Sequence, residues 1–174
     1  MGQIVVVSIL IVLMLLLVPL FSHLLARWPR LLKTGKWAML AVYVLAAVYL
    51  TLFSRAPRIY HHMRLMPFWS YIEAIQLERA DLVEEIILNM MLFVPMGYLV
   101  QDLFPKLKPL VIIVIAVLCS GMIESVQLFA KLGLCEVDDV ISNTAGAALG
   151  MGAWRVTDWL LKRREGRGQS LPKA

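Results

Sequence analysis

Long apolar runs separated by polar connections dominate the chain. A helix needs roughly 20 apolar residues to cross a hydrocarbon core of about 30 Å, and five runs come close to that length. They cover residues 3–25, 37–53, 86–104, 110–130 and 140–161. Runs rich in Val and Ile favour strands in soluble proteins, but lipid requires a backbone that satisfies its own hydrogen bonds. The pattern therefore predicts an all-α, polytopic membrane bundle of about five transmembrane helices.

The longest connection, residues 54–85, has a pattern of its own. Apolar residues recur there at roughly helical spacing, with charged residues between them. This apolar set is Phe68, Ile72, Ile75, Leu82 and Ile86. The pattern is typical of an interfacial amphipathic helix, and a helical hairpin packed on the bundle fits it nearly as well. Residues 1–161 are predicted to form one transmembrane domain, with a basic tail over 162–174.

Composition and charge support a membrane location. Of the 174 residues, 60% are hydrophobic and 17% are charged, and a soluble domain of this size could not bury so much apolar surface. The net charge of +5 does not indicate a nucleic-acid partner, because the basic residues flank the apolar runs. Eleven Lys and Arg lie in the 26–36 and 105–109 connections and the tail, against five in the 54–85 and 131–139 connections. The positive-inside rule therefore predicts an outside N-terminus and a cytoplasmic C-terminus.

Motifs of well-known enzyme chemistry are missing from the sequence. It contains no phosphate-binding loop, no serine elbow and no zinc-binding histidine motif. Cys119 and Cys135 are predicted to be unpaired, and too few ligands accompany them for a zinc site. We expect no cofactor, and a non-enzymatic role is favoured while catalysis stays open.

Polar side chains inside the predicted spans form the candidate functional site. A carboxylate at the centre of a spanning helix costs roughly 2.5–3.5 kcal/mol on insertion scales, so such residues usually face the bundle interior and carry function. In the predicted topology, separate helices bring these residues to one layer beneath the outer membrane face. The candidate ligand-binding residues are Arg55, Asn89, Glu124, Gln127, Asp138, Asp139 and Asn143.

Each of these residues also has a structural alternative. The aspartates can cap a helix N-terminus, and the asparagines can hydrogen-bond between helices. Arg55 can be a flanking residue of its helix, or it can form an ion pair with Glu124.

Two further groups of residues are predicted to shape the helices. Gly146 and Gly150 form a G-x-x-x-G pattern that is typical of close helix packing. Pro95 and Gly97 are predicted to kink the third span.

Four short motifs in a fixed order resemble the VanZ-like family of bacterial membrane proteins. The motifs are Arg55 with Met66-Pro67-Phe68, then Asn89-Met90-Met91-Leu92-Phe93-Val94-Pro95-Met96-Gly97, then Glu124-Ser125-Val126-Gln127, then Asp138-Asp139-Val140-Ile141-Ser142-Asn143-Thr144-Ala145-Gly146. The resemblance spans about residues 50–155. Family members often carry an Arg shortly before the paired aspartates, where this chain has Cys135-Glu136-Val137.

The resemblance implies a link to reduced susceptibility to teicoplanin and related lipoglycopeptides. The expected protein has an outer-face polar pocket that binds an amphiphile: a membrane lipid, a lipid-linked envelope precursor or the antibiotic itself. One alternative is an enzyme acting on phosphorylated or glycosylated lipids, with Mg²⁺ on Glu124, Asp138, Asp139 and Asn143 and a phosphate on Arg55. Another is a structural partner in a membrane complex. The oligomeric state stays open.

Overall fold

The computed structural model describes residues 17–20, 22, 24, 27–53 and 62–169, with side chains described as far as residue 163. Its helices and strands follow one another along the chain. They are α1 (Pro29–Val48, continued by a π-helical turn, Tyr49–Phe53), β1 (His62–Arg64), α2 (Trp69–Gln76), α3 (Ala80–Leu103), α4 (Pro109–Phe129), β2 (Leu134–Glu136) and α5 (Val137–Gln169). Arg55 and most of the predicted first span lie outside the described residues.

Three described helices are long and apolar enough to cross a membrane: α1 with its π-helical turn, α3 and α4. The helical membrane class is therefore confirmed, while the predicted number of five spans is not. The first predicted span falls mostly outside the described residues. The fifth corresponds to α5, which is a continuous helix but is not among the helices that reach the required hydropathy.

The low hydropathy of α5 follows from its place in the bundle. It packs against both α3 and α4, and the small and polar residues of its first half are buried or partly buried. At Gly146 an added Cβ would lie 1.8 Å from the Met90 carbonyl oxygen, and at Gly150 it would lie 1.9 Å from the Val94 carbonyl oxygen. At Gly97 of α3 the corresponding distance to a carbonyl oxygen of α5 is 1.9 Å. The two backbones meet where only glycine fits.

The helix ends differ from the predicted spans in a consistent way. The helix α1 begins at Pro29 and α3 at Ala80, each about two turns before the predicted starts at 37 and 86. Proline lies in the first turn of both α1 and α4, where its missing N–H would have no helical partner anyway. Polar first turns thus belong to these helices although hydropathy alone assigns them to connections.

The proline inside α3 does not interrupt the helix. Pro95 is buried within the continuous segment Ala80–Leu103. One turn earlier, the Leu92 carbonyl accepts a hydrogen bond of 3.1 Å from the Tyr43 hydroxyl of α1. The helix α1 is thereby fixed to α3 beside the proline.

A short parallel strand pair, which the sequence did not predict, joins two connections. Strand β1 pairs with β2 so that Arg64 is in register with Glu136. The chain segments before α2 and before α5 therefore meet at one end of the bundle. We call this the junction end; the end where α3 passes into α4 is the opposite end.

Candidate functional site

A layer of buried polar side chains lies at the junction end. It draws on α2, α3, α4, β2 and α5, and on the π-helical turn of α1. Its members, the junction layer, are Thr51, Ser70, Asn89, Ser120, Glu124, Gln127, Glu136, Asp138, Asp139, Ser142 and Asn143, each at most 9% exposed. Six of the seven predicted site residues belong to this layer, and the seventh, Arg55, is outside the described residues.

One face of α4 supplies the polar residues that the spacing predicted. Ser120, Glu124 and Gln127 are all buried on it. Ser120 accepts a 2.7 Å hydrogen bond from the Asn143 side-chain amide of α5. Glu124 accepts a 3.1 Å hydrogen bond from the backbone N–H of Glu136. The carboxylate of Glu124 therefore holds strand β2 over the end of the bundle.

The end of α1 reaches the same layer through its π-helical turn. The Gln127 side-chain amide donates a 3.0 Å hydrogen bond to the Thr51 carbonyl. The Thr51 hydroxyl in turn donates to the Ala47 carbonyl at 2.8 Å. Single π turns inside or at the end of α-helices are frequent at functional sites because they change where backbone carbonyls point.

Asp138 lies in the first turn of α5 but caps the N-terminus of α2. Its two carboxylate oxygens accept hydrogen bonds from the backbone N–H groups of Phe68 at 2.5 Å and Ser70 at 2.7 Å. Phe68 has φ 64° and ψ 10°, a left-handed conformation that costs a non-glycine residue roughly 1–2 kcal/mol. Followed by helical residues, it turns the N–H groups of Phe68 and Ser70 toward one carboxylate. Asp138 therefore fixes the N-terminus of α2 to the start of α5.

A second contact between α2 and α5 lies one turn further on. The hydroxyls of Tyr71 and Ser142 are 2.7 Å apart. Ser142 donates its own proton to the Asp138 carbonyl at 2.8 Å, so Tyr71 is the donor to Ser142. Together with the Asp138 contacts, this bond fixes the rotation of α2 about its axis.

Glu136 connects the strand pair to α2. It accepts a 2.9 Å hydrogen bond from the Ser70 hydroxyl, and an Arg64 guanidinium nitrogen lies 3.7 Å from its other oxygen. The same nitrogen lies 3.6 Å from Glu73 of α2. Strand pairing therefore places the Arg64 guanidinium between a carboxylate of β2 and a carboxylate of α2.

Four buried polar atoms at the junction end have no hydrogen-bond partner among the described residues. We call them the spare polar atoms. They are Asn89 Nδ2, Gln127 Oε1, Asn143 Oδ1 and Thr144 Oγ1. Leaving one such group buried and unpaired costs about 1–3 kcal/mol.

The opposite end holds a different kind of polar group. Asp102 of α3 forms an ion pair with Lys36 of α1 at 2.9 Å, and it accepts a 3.0 Å hydrogen bond from the Trp154 indole of α5. Gln101 donates to the carbonyls of Phe104 and Pro105. The sequence interpretation did not single out this cluster. It ties three helices together, although Gln101 Oε1 remains unpaired within the described chain.

The junction end also contains a free thiol in an acidic environment. Cys135 of β2 forms no disulfide, and neither does Cys119. Burial, and then the neighbouring carboxylates of Glu124, Asp139 and Glu136, raise the pKa of the Cys135 thiol. Within the described ranges, no three His, Cys, Asp or Glu side chains are arranged to hold a metal ion. The metal-dependent alternative thus has no ready ligand set in that part of the chain.

These features define a helical membrane protein with a buried polar layer at one end of an apolar bundle. The family model described as VanZ/LLP1 matches residues 40–160, which include all of the described junction layer. The chain belongs to the VanZ/LLP1 family. No curated protein and no solved structure matches it in the corresponding searches.

Proposed function

We propose that the junction layer binds the polar head group of an amphiphilic envelope molecule, and that this binding contributes to reduced susceptibility to teicoplanin-type lipoglycopeptides. The spare polar atoms are the observation that supports the proposal. Three helices bring unpaired donors and acceptors to the same end of the bundle, where each costs free energy unless a partner arrives.

The chemistry of the spare polar atoms favours hydroxyl and amide groups on the ligand. Three of them belong to Asn or Gln amides and one to a Thr hydroxyl, and these neutral groups exchange hydrogen bonds with sugars and peptides. Lipid-linked envelope precursors and lipoglycopeptides carry such groups on an apolar anchor. The apolar surface of the surrounding spans suits that anchor.

We place the junction end at the outer face of the bacterial cell membrane. The distribution of Lys and Arg supports this orientation, since the connections that meet at the junction end are the ones with fewer basic residues. Envelope precursors and the antibiotic are both accessible there. A reporter enzyme that works only in the cytoplasm should be active when it is fused after the tail. Activity of a reporter that works only outside the cytoplasm would reverse the proposed orientation.

Asn89→Leu is the sharpest test of ligand binding. Leucine has the same branched skeleton of four side-chain heavy atoms as asparagine, with larger methyl groups, and it removes the unpaired Nδ2, so we expect unfolding in detergent to be unchanged or to require more denaturant. The same change should lower affinity at least tenfold for the ligand, titrated separately as a lipid-linked peptidoglycan precursor and as teicoplanin. A tenfold loss corresponds to about 1.4 kcal/mol, the value of one hydrogen bond. The inhibitory concentration of teicoplanin should fall in cells that express the variant.

Two controls decide how the result is interpreted. Asp158→Asn changes a partly exposed carboxylate on the distal half of α5, paired with Lys162, and should leave affinity unchanged. Glu124→Gln changes a junction carboxylate and should reduce affinity. If Asn89→Leu and Glu124→Gln both retain affinity and the drug phenotype at normal membrane abundance, the site is assigned wrongly. If Asn89→Leu mainly destabilises the protein, Asn89 has a structural role.

A further inference from the structure

The amphipathic helix α2 faces the bundle with its small residues and away from it with its large apolar ones. Ser70 and Ala74 are buried at 5% and 6% exposure, whereas Ile72 and Ile75 are 43% and 80% exposed. A helix packed on a bundle in water would be expected to place its large apolar side chains inward. The reversed arrangement in α2 requires an apolar environment on its outer side.

The residues that flank α2 extend this exposed apolar surface. We call the whole set the apolar plate. It consists of Met63, Leu65, Met66, Phe68, Trp69, Ile72, Ile75 and Leu77, each at least 43% exposed. Contiguous apolar patches of this kind on a protein surface usually mark a contact with a partner or with lipid.

Charged groups near the plate are held by one another and by the junction layer. Glu73 lies 3.6 Å from Arg64 and 3.2 Å from Arg79, and Arg79 is also paired with Asp81. Arg64 reaches Glu136 on the bundle side. Apart from Gln76, the exposed side chains of α2 are therefore apolar.

The plate is continuous with the lipid-facing surface of the candidate spans. Helix α3 begins at Ala80, directly after α2, and exposes Val83 in its first turn. The π-helical turn of α1 ends at Phe53, which is 75% exposed, and α4 ends at Phe129, which is 82% exposed. These ends all lie at the junction end. The surface that lipid covers on the spans thus continues onto α2.

We infer that the apolar plate lies in the lipid interface at the junction end and holds the junction layer at the depth of the lipid head groups. Trp69 suits this depth, because its ring is partly exposed while its indole N–H donates to Glu73 at 3.0 Å. Asp138 fixes the start of α2 to the bundle, so the plate is anchored to the junction layer. This inference is independent of which ligand the junction layer binds.

Fluorescence quenching in reconstituted vesicles tests the inference. In a Cys119→Ala, Cys135→Ala background, Ile75→Cys is labelled with an environment-sensitive fluorophore, and Lys106→Cys, in the exposed turn between α3 and α4, is the aqueous control. Spin-labelled lipids should quench the label at position 75 several-fold more strongly than the label at 106. Aqueous iodide, present on both sides of the vesicle membrane, should show the opposite order, and the emission at position 75 should be shifted to the blue.

Two results would overturn lipid as the occupant. Equal iodide quenching at positions 75 and 106 would place the plate in water. Efficient cross-linking between Ile75→Cys chains, with quenching by neither agent, would make a second copy of the chain the occupant. Ile72→Cys gives an independent measurement on the same face if the first variant does not fold.

Discussion

Replacing Gly146 with alanine should separate the two most closely packed helices of the bundle. The new Cβ would lie 1.8 Å from the Met90 carbonyl oxygen, where real Cβ atoms stay at least 3.0 Å from a neighbouring atom. The helices α3 and α5 must therefore move apart locally by more than 1 Å. The clash is with a backbone carbonyl, so no rotamer change relieves it.

The size of the effect follows from the lost contact. Overpacking in well-packed cores costs typically 1–3 kcal/mol, and a radial gap of 0.5–1 Å already loses a quarter to a half of the dispersion attraction. We expect Gly146→Ala to lower the free energy of unfolding by about 3 kcal/mol. Gly152→Ala, two turns along the same helix, meets nothing within 4 Å. It should stabilise the protein by up to about 1 kcal/mol through helix propensity.

Unfolding by denaturing detergent, followed by circular dichroism, measures both variants in the same micelles. The opposite sign of the two changes is the critical observation, since both add one methyl group to α5. Equal stability of Gly146→Ala and Gly152→Ala would show that the α3–α5 contact is looser than the structure indicates.

Two further predictions concern charge at the two ends of the bundle. Asp102→Asn should lower the free energy of unfolding by about 2 kcal/mol, because the Lys36 and Asp102 side chains are only 17% and 12% exposed. The control Asp158→Asn, at a more exposed ion pair, should lower it by less than about 0.5 kcal/mol. Equal losses would contradict a stabilising role for the ion pair of Lys36 and Asp102. In a Cys119→Ala background, Cys135 should react with maleimide more slowly at pH 8 than free cysteine does, because its raised pKa leaves less thiolate. The reaction rate should increase with pH, and it should be higher in the Glu136→Gln variant, which removes one of the neighbouring carboxylates. If Cys135 reacts at the same rate as free cysteine and with the same dependence on pH, its pKa is not raised and the prediction is wrong.

Helical spacing was sufficient to predict the polar face of α4. Ser120, Glu124 and Gln127 repeat at intervals of four and three residues, and the structure buries all three. Periodicity carries such information because neighbours on a helix face are fixed by local geometry. The contacts of Asp138 could not be found in this way. Its partners are backbone N–H groups about 70 residues earlier, made available by the left-handed conformation of Phe68.

The same distinction between local and long-range information applies to the strand pair. Three-residue strands leave no periodic signal, and their pairing depends on where the spans place two distant connections. The sequence alone therefore shows Arg64 only as one basic residue of a long connection, although its guanidinium lies 3.7 Å from Glu136 in the structure. Hydropathy likewise underestimates α5, because a helix surrounded by other helices needs small residues for close approach and not apolar ones for lipid.

Both ends of the bundle bury polar groups, but the junction end has more unpaired atoms among the described residues: four there, against Gln101 Oε1 at the opposite end. At the opposite end, Asp102 is paired with a lysine and an indole, so its charge stabilises the contact of three helices. At the junction end, the carboxylates of Glu124 and Asp138 are engaged by backbone N–H groups, while the amides of Asn89 and Gln127 retain unpaired atoms. An apolar residue in place of Asn89 would remove an unpaired donor, whereas one in place of Gln127 would also lose its hydrogen bond to the Thr51 carbonyl. The spare polar atoms are therefore the reason why we propose a polar head group as the ligand of the junction layer.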